Sequence, residues 1–179
     1  MDDDQSFSTT GRDARVVIDL ALDDPAWLDD LPGAEDCARQ ACVAAFDQAC
    51  PETRVGVSLM LADDACVRSL NGQWRAIDKP TNVLSFPSAE RVAGAVPEPA
   101  AGQPPGQEIA LGDIVLARET LLREAREAAL PANHHLAHLV VHGALHLLGY
   151  DHNNDDEAET MEAVERLVLA GLGVPDPYA

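Results

Sequence analysis

The segment from about Asn133 to Leu148 constrains the fold more than any other part of the chain. It predicts a helix that packs in the interior, because apolar side chains recur along it, at Leu136, Leu139, Val140, Leu145 and Leu147. Two histidines, His142 and His146, lie four residues apart on this helix. Such residues differ by about 40° of rotation and about 6 Å of rise. The pattern therefore predicts an interior helix that points two imidazoles from one face at one point.

The residues after this helix can return a third histidine to the same point. Gly149 can end the helix in a left-handed conformation at little cost, and a short turn then brings His152 back. Three imidazole nitrogens with an open fourth position are typical of a catalytic zinc site, although such a site also accepts Ni, Co or Cu. We therefore predict one Zn²⁺ per chain. Its predicted ligands are His142, His146 and His152.

Two further polar residues near this motif have predicted supporting roles. His138 lies one turn before His142, but it is eight residues from His146, about 12 Å along the helix axis. His138 and His146 cannot both reach one ion. His138 is therefore expected either to contact a ligand histidine on the side away from the metal or to face the substrate. Asp151 either orients an imidazole or a bound water, or forms the turn in which it lies.

The residue after the first histidine separates two classes of metal hydrolase. Zinc proteases with this histidine spacing read H-E-x-x-H, and their glutamate is the general base. Here that position is Gly143. No carboxylate stands there to activate water or to protonate an amine. A metzincin-like metalloprotease stays an alternative function, but this glycine argues against it.

Length and composition predict one soluble domain over residues 1–179. The chain suits a single core, and no apolar run approaches the roughly 20 residues of a membrane span. The start, Met1 to Asp4, is acidic where a secretory signal would be basic and then apolar, which predicts a cytoplasmic protein. Residues 1–14 are expected to be flexible, and residues 88–107, rich in Pro, Gly and Ala, predict an insertion loop.

Strand and helix patterns alternate along the rest of the chain. Strands are predicted at about 15–20, 54–62, 82–86 and 109–116, and helices at about 35–50, 64–73, 118–129, 133–148 and 156–170. This order predicts an α+β (α/β) fold, with a single mixed sheet of about four strands packed against about five helices. The predicted metal site lies at the end of an interior helix.

The net charge of −19 argues against a non-specific nucleic-acid binder, which needs an excess of Lys and Arg to neutralise phosphates. The charge allows nucleic-acid binding only if the basic residues gather at the site. One acidic cluster, from Asp151 to Glu165, adjoins the metal motif. We interpret that cluster as the solvated face of a helix.

Three blocks of sequence resemble one known family. The run HGALHLLGYDH, from His142 to His152, resembles the signature of the YbeY family of single-strand-specific endoribonucleases. The residues LNGQWR at 70–75, followed by KPTNVLSFP at 79–87, resemble a second block of that family, and LGDI at 111–114 resembles a third. The resemblance covers about residues 54–170. The loop at 88–107 is longer than the usual connection in the family.

The resemblance implies a zinc-dependent endoribonuclease that acts on single-stranded RNA, with the three histidines as zinc ligands and Arg75 as the catalytic residue on the substrate side. It also implies roles in 3′ end maturation of small-subunit ribosomal RNA, in late ribosome assembly and in quality control. The expected partners are ribosomal RNA and the small ribosomal subunit with its proteins.

The residues themselves are compatible with this chemistry. A guanidinium offers phosphate a planar fork of donors, although Arg75 taken alone equally fits a surface arginine paired with a carboxylate. Lys79 is a weaker candidate to face the substrate or support the site. Trp74 could stack on a base, but a core tryptophan is the expectation. Ser85 has no histidine near it in sequence to activate it as a nucleophile.

A third function class needs no catalysis. An acidic protein suits basic ribosomal proteins better than naked RNA. The chain could therefore be a metal-stabilised ribosome assembly factor whose ion only holds the fold together.

Overall fold

A four-stranded mixed sheet organises the part of the chain that the computed structural model describes, residues 15–179. Its strands are β1 (Val16–Leu22), β2 (Val55–Ala62), β3 (Val83–Pro87) and β4 (Ile109–Ala117). The strand order is β1-β2-β4-β3, in which β1, β2 and β4 are parallel and β3 runs antiparallel to β4. The predicted mixed sheet is confirmed. The expected flexibility of residues 1–14 falls outside the described residues.

Within residues 15–179 the sheet is accompanied by six helices, one more than the sequence predicted. They are α1 (Ala26–Asp30), α2 (Ala34–Ala49), α3 (Asp64–Arg75), α4 (Arg118–Glu127), α5 (Ala132–Leu147) and α6 (Asp155–Gly171). The extra helix is α1, in a stretch with no helical periodicity. Trp27 in α1 is fully buried, and its indole N–H donates to the carbonyl of Ala62 at 2.9 Å. The Asp24 carboxylate also accepts from the backbone N–H of Ala26 at 3.0 Å, so a local hydrogen bond and the packing of one aromatic side chain together hold this short helix.

Helix α5 lies in the interior, as its apolar sequence predicts. It packs against β3 and β4 on one side and against helices α2 and α6 on the other. Its leucines and valines are buried almost completely, with Leu136, Val140, Val141, Leu145 and Leu147 at 0% exposure. Each such side chain contributes about 1.5–3 kcal/mol through burial. The core therefore fixes the direction in which the histidines of α5 point.

Helix α3 covers part of the opposite face of the sheet. Asp63 caps its start, because the Asp63 carboxylate accepts a hydrogen bond from the backbone N–H of Cys66 at 2.7 Å. The helix ends at Arg75, and Ala76 follows in a left-handed conformation. Arg75 therefore lies at the last turn of α3, shortly before the chain enters β3.

The four cysteines, Cys37, Cys42, Cys50 and Cys66, are free thiols. Burial raises the pKa of the Cys42 thiol to about 12, which keeps it protonated and unreactive. No helix in residues 15–179 has both the length and the apolar character needed to cross a membrane.

Candidate metal centre and groove

The three predicted ligands converge. One ring nitrogen from each of His142, His146 and His152 lies within 4.8 Å of the other two, a group that could hold a metal ion. His142 and His146 occupy the last turns of α5, and His152 follows in the turn before α6. The His152 ring centroid lies 5.5 Å from that of His142 and 5.1 Å from that of His146.

The end of α5 has the geometry that brings His152 back. Gly149 has a φ of +88°, the left-handed conformation predicted from the sequence. The N–H of Tyr150 donates to the carbonyl of Leu145, and the N–H of Gly149 donates to that of His146, both at 3.1 Å. This pair of bonds is the Schellman motif. The chain thus reverses within two residues of the helix end.

Hydrogen bonds at Nδ1 determine which nitrogens of the two helical histidines are free. Nδ1 of His142 is 2.7 Å from Oε1 of Glu165, and Nδ1 of His146 is 2.9 Å from the carbonyl oxygen of Tyr150. An ionised carboxylate and a carbonyl can only accept, so each Nδ1 carries the proton and donates it. In the neutral imidazole each Nε2 then keeps its lone pair available.

The two free nitrogens face each other at 3.0 Å between Nε2 of His142 and Nε2 of His146. Two lone pairs at this distance repel unless a cation lies between them. Ligand nitrogens at about 2.0–2.1 Å from a tetrahedral zinc are about 3.3 Å apart, close to the observed spacing. The donor set therefore fits a metal ion bound through Nε2.

The electrostatics of the site keep the imidazole of His146 neutral. Burial lowers its pKa to about 4, and repulsion from His142 and His152 acts in the same direction. A neutral imidazole is the form that binds a metal.

Glu165 is an exception to the interpretation of the acidic cluster as a solvated face, which Asp155, Asp156, Glu157 and Glu159 fit because they are exposed. The Glu165 side chain is fully buried on α6, where it accepts the hydrogen bond from His142. Burial by itself raises the pKa of Glu165, but hydrogen bonds from His138, His142 and Tyr178 outweigh burial and lower the pKa to about 2. The sequence held a signal that the prediction missed: Glu165 follows Met161 by four residues and precedes Val168 by three, so it lies on the apolar face of α6.

Arg75 lines the same groove as the histidines, a concave space of about 1020 Å³. Its side chain makes no ion pair with any of the described residues 15–179. The nearest acidic residue along the chain, Asp78, instead pairs with Arg68 at 2.7 Å. The alternative of a carboxylate-paired surface arginine therefore has no support in the described contacts, and the guanidinium is free to meet an anion in the groove.

Comparison with known proteins places this geometry in a family. A family model described as Endoribonuclease YbeY matches residues 29–173. The chain belongs to the YbeY endoribonuclease family. Membership confirms the resemblance of the three sequence blocks and the predicted enzyme class, a nuclease.

Relatives in the YbeY family match nearly the whole chain. The Endoribonuclease YbeY of Azorhizobium caulinodans is 51% identical over 166 residues, which cover 92% of this chain and 97% of the relative. That of Paramagnetospirillum magneticum is 46% identical, with 91% and 97% covered. The solution structure of TM1509 from Thermotoga maritima has the same fold, with a TM-score of 0.51, 23% identity and coverage of 88% of this chain and 92% of that one.

The glycine between the histidines of this YbeY chain has a structural cause. A Cβ atom at Gly143 would lie 3.0 Å from the Ile114 side chain and 3.1 Å from Oγ of Ser85, so the position faces the sheet at close range. Even a Cβ at this position would require side chains of the sheet to shift, so a glutamate would be crowded there, which supports the argument against a protease of the H-E-x-x-H type. Ser85 itself donates to the carbonyl of Gly143 at 3.2 Å and lines the same groove as His142 and His146.

The structure places the supporting candidates at different distances from the ligands. Nε2 of His138 lies 3.5 Å from Oε2 of Glu165, behind His142 rather than in the groove. Asp151 accepts from the backbone N–H of His152 at 2.8 Å, which is the contact of a turn-forming aspartate, although it also lines the groove. Lys79 is exposed and is not among the described residues that line the groove.

The start of the 88–107 segment forms one wall of the groove. The Arg91 guanidinium donates to the carbonyls of Leu111 and Leu147, both at 3.1 Å. The Arg91 carbonyl oxygen packs so closely on Gly149 that a Cβ there would lie 2.2 Å away. The loop is therefore fastened to the end of α5, beside the histidines.

Trp74 differs from its prediction. It was expected in the core, but it is 66% exposed, and its ring lies tilted beside that of Phe86, with ring centroids 6.2 Å apart. It contributes to a groove on the open face of the sheet, together with Met60 and Leu70, and not to the groove of the histidines.

Proposed function

We propose that this YbeY family member is a zinc-dependent endoribonuclease specific for single-stranded RNA, acting in the cytoplasm as a single hydrolase domain. Its proposed role is 3′ end maturation of small-subunit ribosomal RNA, with further roles in late ribosome assembly and quality control. One observation carries the proposal. Two imidazoles have their Nδ1 atoms bound to acceptors and their free Nε2 atoms facing each other, in the same groove as an arginine that forms no ion pair with residues 15–179.

The proposed zinc ligands are Nε2 of His142 and His146, together with one ring nitrogen of His152. When bound, zinc lowers the pKa of a water molecule to about 7 and polarises a phosphoryl oxygen. The chain's own contribution is positional: Glu165 and the Tyr150 carbonyl fix the two helical imidazoles in the tautomer that offers Nε2.

Arg75 is the proposed partner of the scissile phosphate. Its guanidinium forms two parallel hydrogen bonds to two phosphate oxygens and offsets the charge that develops there. No described carboxylate competes for this side chain, so binding phosphate breaks no existing ion pair.

The shape of the groove supports the preference for single strands. The histidines line a concave space and do not project from a convex surface. A flexible, unpaired strand can bend its backbone into such a space, whereas the backbone of a rigid duplex cannot. The partners we propose are ribosomal RNA and the small ribosomal subunit, whose basic proteins suit a chain of net charge −19.

Paired arginine variants test the proposal. Arg75→Ala and His142→Ala should both lose cleavage of a labelled single-stranded RNA, while circular dichroism shows an intact fold. Arg68→Ala is the matched control, because Arg68 lies on the same helix but is already paired with Asp78. A duplex of the same sequence should resist cleavage. Full activity of both Arg75→Ala and His142→Ala would contradict the proposal.

The net charge supports a second function, a non-catalytic ribosome assembly factor in which metal only stabilises the fold. The same variants separate the two functions. Normal ribosome maturation in cells that carry a folded but inactive His142→Ala variant would favour the assembly factor, whereas defective maturation would favour the nuclease. Peptide cleavage by the unaltered protein would instead favour the protease.

A further inference from the structure

Both carboxylate oxygens of Glu165 are engaged, and they face different parts of the molecule. Oε1 accepts from Nδ1 of His142 at 2.7 Å. Oε2 accepts from the hydroxyl of Tyr178, with Nε2 of His138 3.5 Å away. The side chain is fully buried. A carboxylate in this position links a candidate metal ligand to a residue of the segment that follows α6.

A buried carboxylate needs these partners. An ionised carboxylate without hydrogen bonds is costly inside a protein, and leaving one lone pair unmet costs the desolvation of that group. Tyr178 is suited to the task because burial and its bond to Glu165 raise the pKa of the hydroxyl, which therefore stays a donor. Without that hydroxyl, Oε2 would keep only the more distant His138 among the described contacts.

Tyr178 is itself held in place by contacts to the same helix. The Arg166 guanidinium lies over its ring, 4.9 Å from the ring centroid. Arg166 also pairs with Asp176 at 3.2 Å, and Asp176 accepts from the backbone N–H of Tyr178 at 2.9 Å. Since Arg166 directly follows Glu165 in α6, one helical turn fixes both the carboxylate and the tyrosine that donates to it.

We propose that Glu165 and Tyr178 are a positioning pair for the metal centre, through which the segment 176–178 sets the direction of Nε2 of His142. This inference rests on the proposed function, because it takes His142 to be a metal ligand. The hydroxyl of Tyr178 holds the carboxylate in one orientation, and the carboxylate holds the imidazole. Carboxylates placed behind metal-bound histidines act in this way in other proteins.

Zinc binding by the full chain tests the pair. Zn²⁺ affinity would be measured by competition with a chromophoric chelator for the unaltered protein, for Tyr178→Phe and for Glu165→Gln. Glu165→Gln should weaken Zn²⁺ binding about 100-fold and Tyr178→Phe about 10-fold, the range found when partners behind metal ligands are changed. Glu159→Gln makes the same chemical change at an exposed position of α6 and should leave the affinity unchanged. Co²⁺ absorption spectra would report changes in ligand geometry.

The outcomes separate this inference from the proposed function. Zn²⁺ binding by the unaltered protein, with equal affinity and an identical Co²⁺ spectrum for Tyr178→Phe, would overturn the positioning pair and leave the proposed function intact. Absence of Zn²⁺ binding by the unaltered protein would overturn both. If Glu165→Gln does not fold, Tyr178→Phe carries the test alone, because it removes one oxygen atom and keeps the ring under Arg166.

Discussion

The two functional parts of the groove are built in opposite ways. On the histidine side, Nδ1 of His142 and of His146 is tied to a fixed acceptor, and the residues behind them are buried in the core. On the arginine side, Arg75 lies exposed at the end of α3 with no ion pair among residues 15–179. A metal needs its ligands held before it arrives, because disorder in them reduces affinity. In the proposed function, a bound RNA strand would order the Arg75 side chain, so this side of the groove can adapt to its ligand.

The largest effect should come from breaking the rigid side at Gly149. Gly149→Ala places a Cβ 2.2 Å from the Arg91 carbonyl oxygen, in a left-handed conformation. We expect a loss of about 3 kcal/mol in the free energy of unfolding, from backbone strain and overpacking together. Gly171→Ala is the matched control in open space at the end of α6, and it should not destabilise the protein. Urea denaturation would measure both, and equal stability of the two variants would contradict the rigid construction of this side.

The next largest effect is stabilisation by Zn²⁺, which we expect to depend on the histidine side of the groove and not on the arginine side. Zn²⁺ at about 100 times its dissociation constant should stabilise the folded protein by about 2.7 kcal/mol, because only the folded chain brings the three histidines together. The stabilisation should disappear in His146→Ala and persist in Arg75→Ala. Thermal unfolding with Zn²⁺ and with a chelator would measure it. An equal shift in His146→Ala would show that Zn²⁺ binds elsewhere.

A smaller effect is expected on the adaptable side. Arg75→Lys keeps the positive charge but loses the planar fork, so cleavage of single-stranded RNA should fall about 10-fold, equivalent to about 1.4 kcal/mol. Arg68→Lys, about two turns earlier on the same helix and already paired with Asp78, should cleave at the normal rate. Unchanged cleavage by Arg75→Lys would mean that charge alone suffices there.

The smallest effect concerns the ion pair between Asp24 and Arg118, which lies outside both sides of the groove. This pair makes the stability of the fold depend on pH. The hydrogen bond from Arg118 lowers the pKa of Asp24 below its ordinary value of 3.8, and both side chains are 16% exposed. As pH falls, the Asp24 carboxylate therefore becomes protonated at a higher pH in the unfolded chain than in the folded protein. The stabilisation of the folded protein by the Asp24–Arg118 pair is complete above the ordinary pKa of Asp24. It is lost as pH falls through the lower pKa of the folded state.

Asp24→Asn should lower the free energy of unfolding by about 1 kcal/mol at neutral pH, after allowance for solvent screening. The difference in free energy of unfolding from the unaltered protein should become smaller in acid. Asp78→Asn, in an exposed ion pair, is the control and should show no such gap. Denaturation curves across acidic pH would measure this. A gap that widens in acid would contradict the direction of the pKa shift.

Sequence alone predicted the parts of the molecule that depend on local periodicity. The histidine spacing on α5, the left-handed Gly149 and the individual strands and helices all follow from patterns within a few residues. These patterns act through the geometry of a single helix, strand or turn, so they can be recognised before the fold is known.

Features that depend on distant partners were missed or misjudged. Glu165 looked like one more acidic residue of an exposed cluster, because its partner His142 lies on another helix. Trp74 was expected in the core but is exposed at the end of an amphipathic helix, while a short stretch without helical periodicity buries Trp27. Only the packing of elements separated in the chain decides such cases.

The bond between His142 and Glu165 also has a consequence for the order of events during synthesis. The ribosome makes the histidines of α5 before it makes α6 and Tyr178. A nascent chain that ends between them has its imidazoles but lacks the groups that aim them. The centre we propose can therefore reach its working geometry only after the last helix and the segment behind it have been translated and have docked. In the nuclease we propose, the metal centre would therefore stay incomplete while the chain is still attached to the ribosome that makes it.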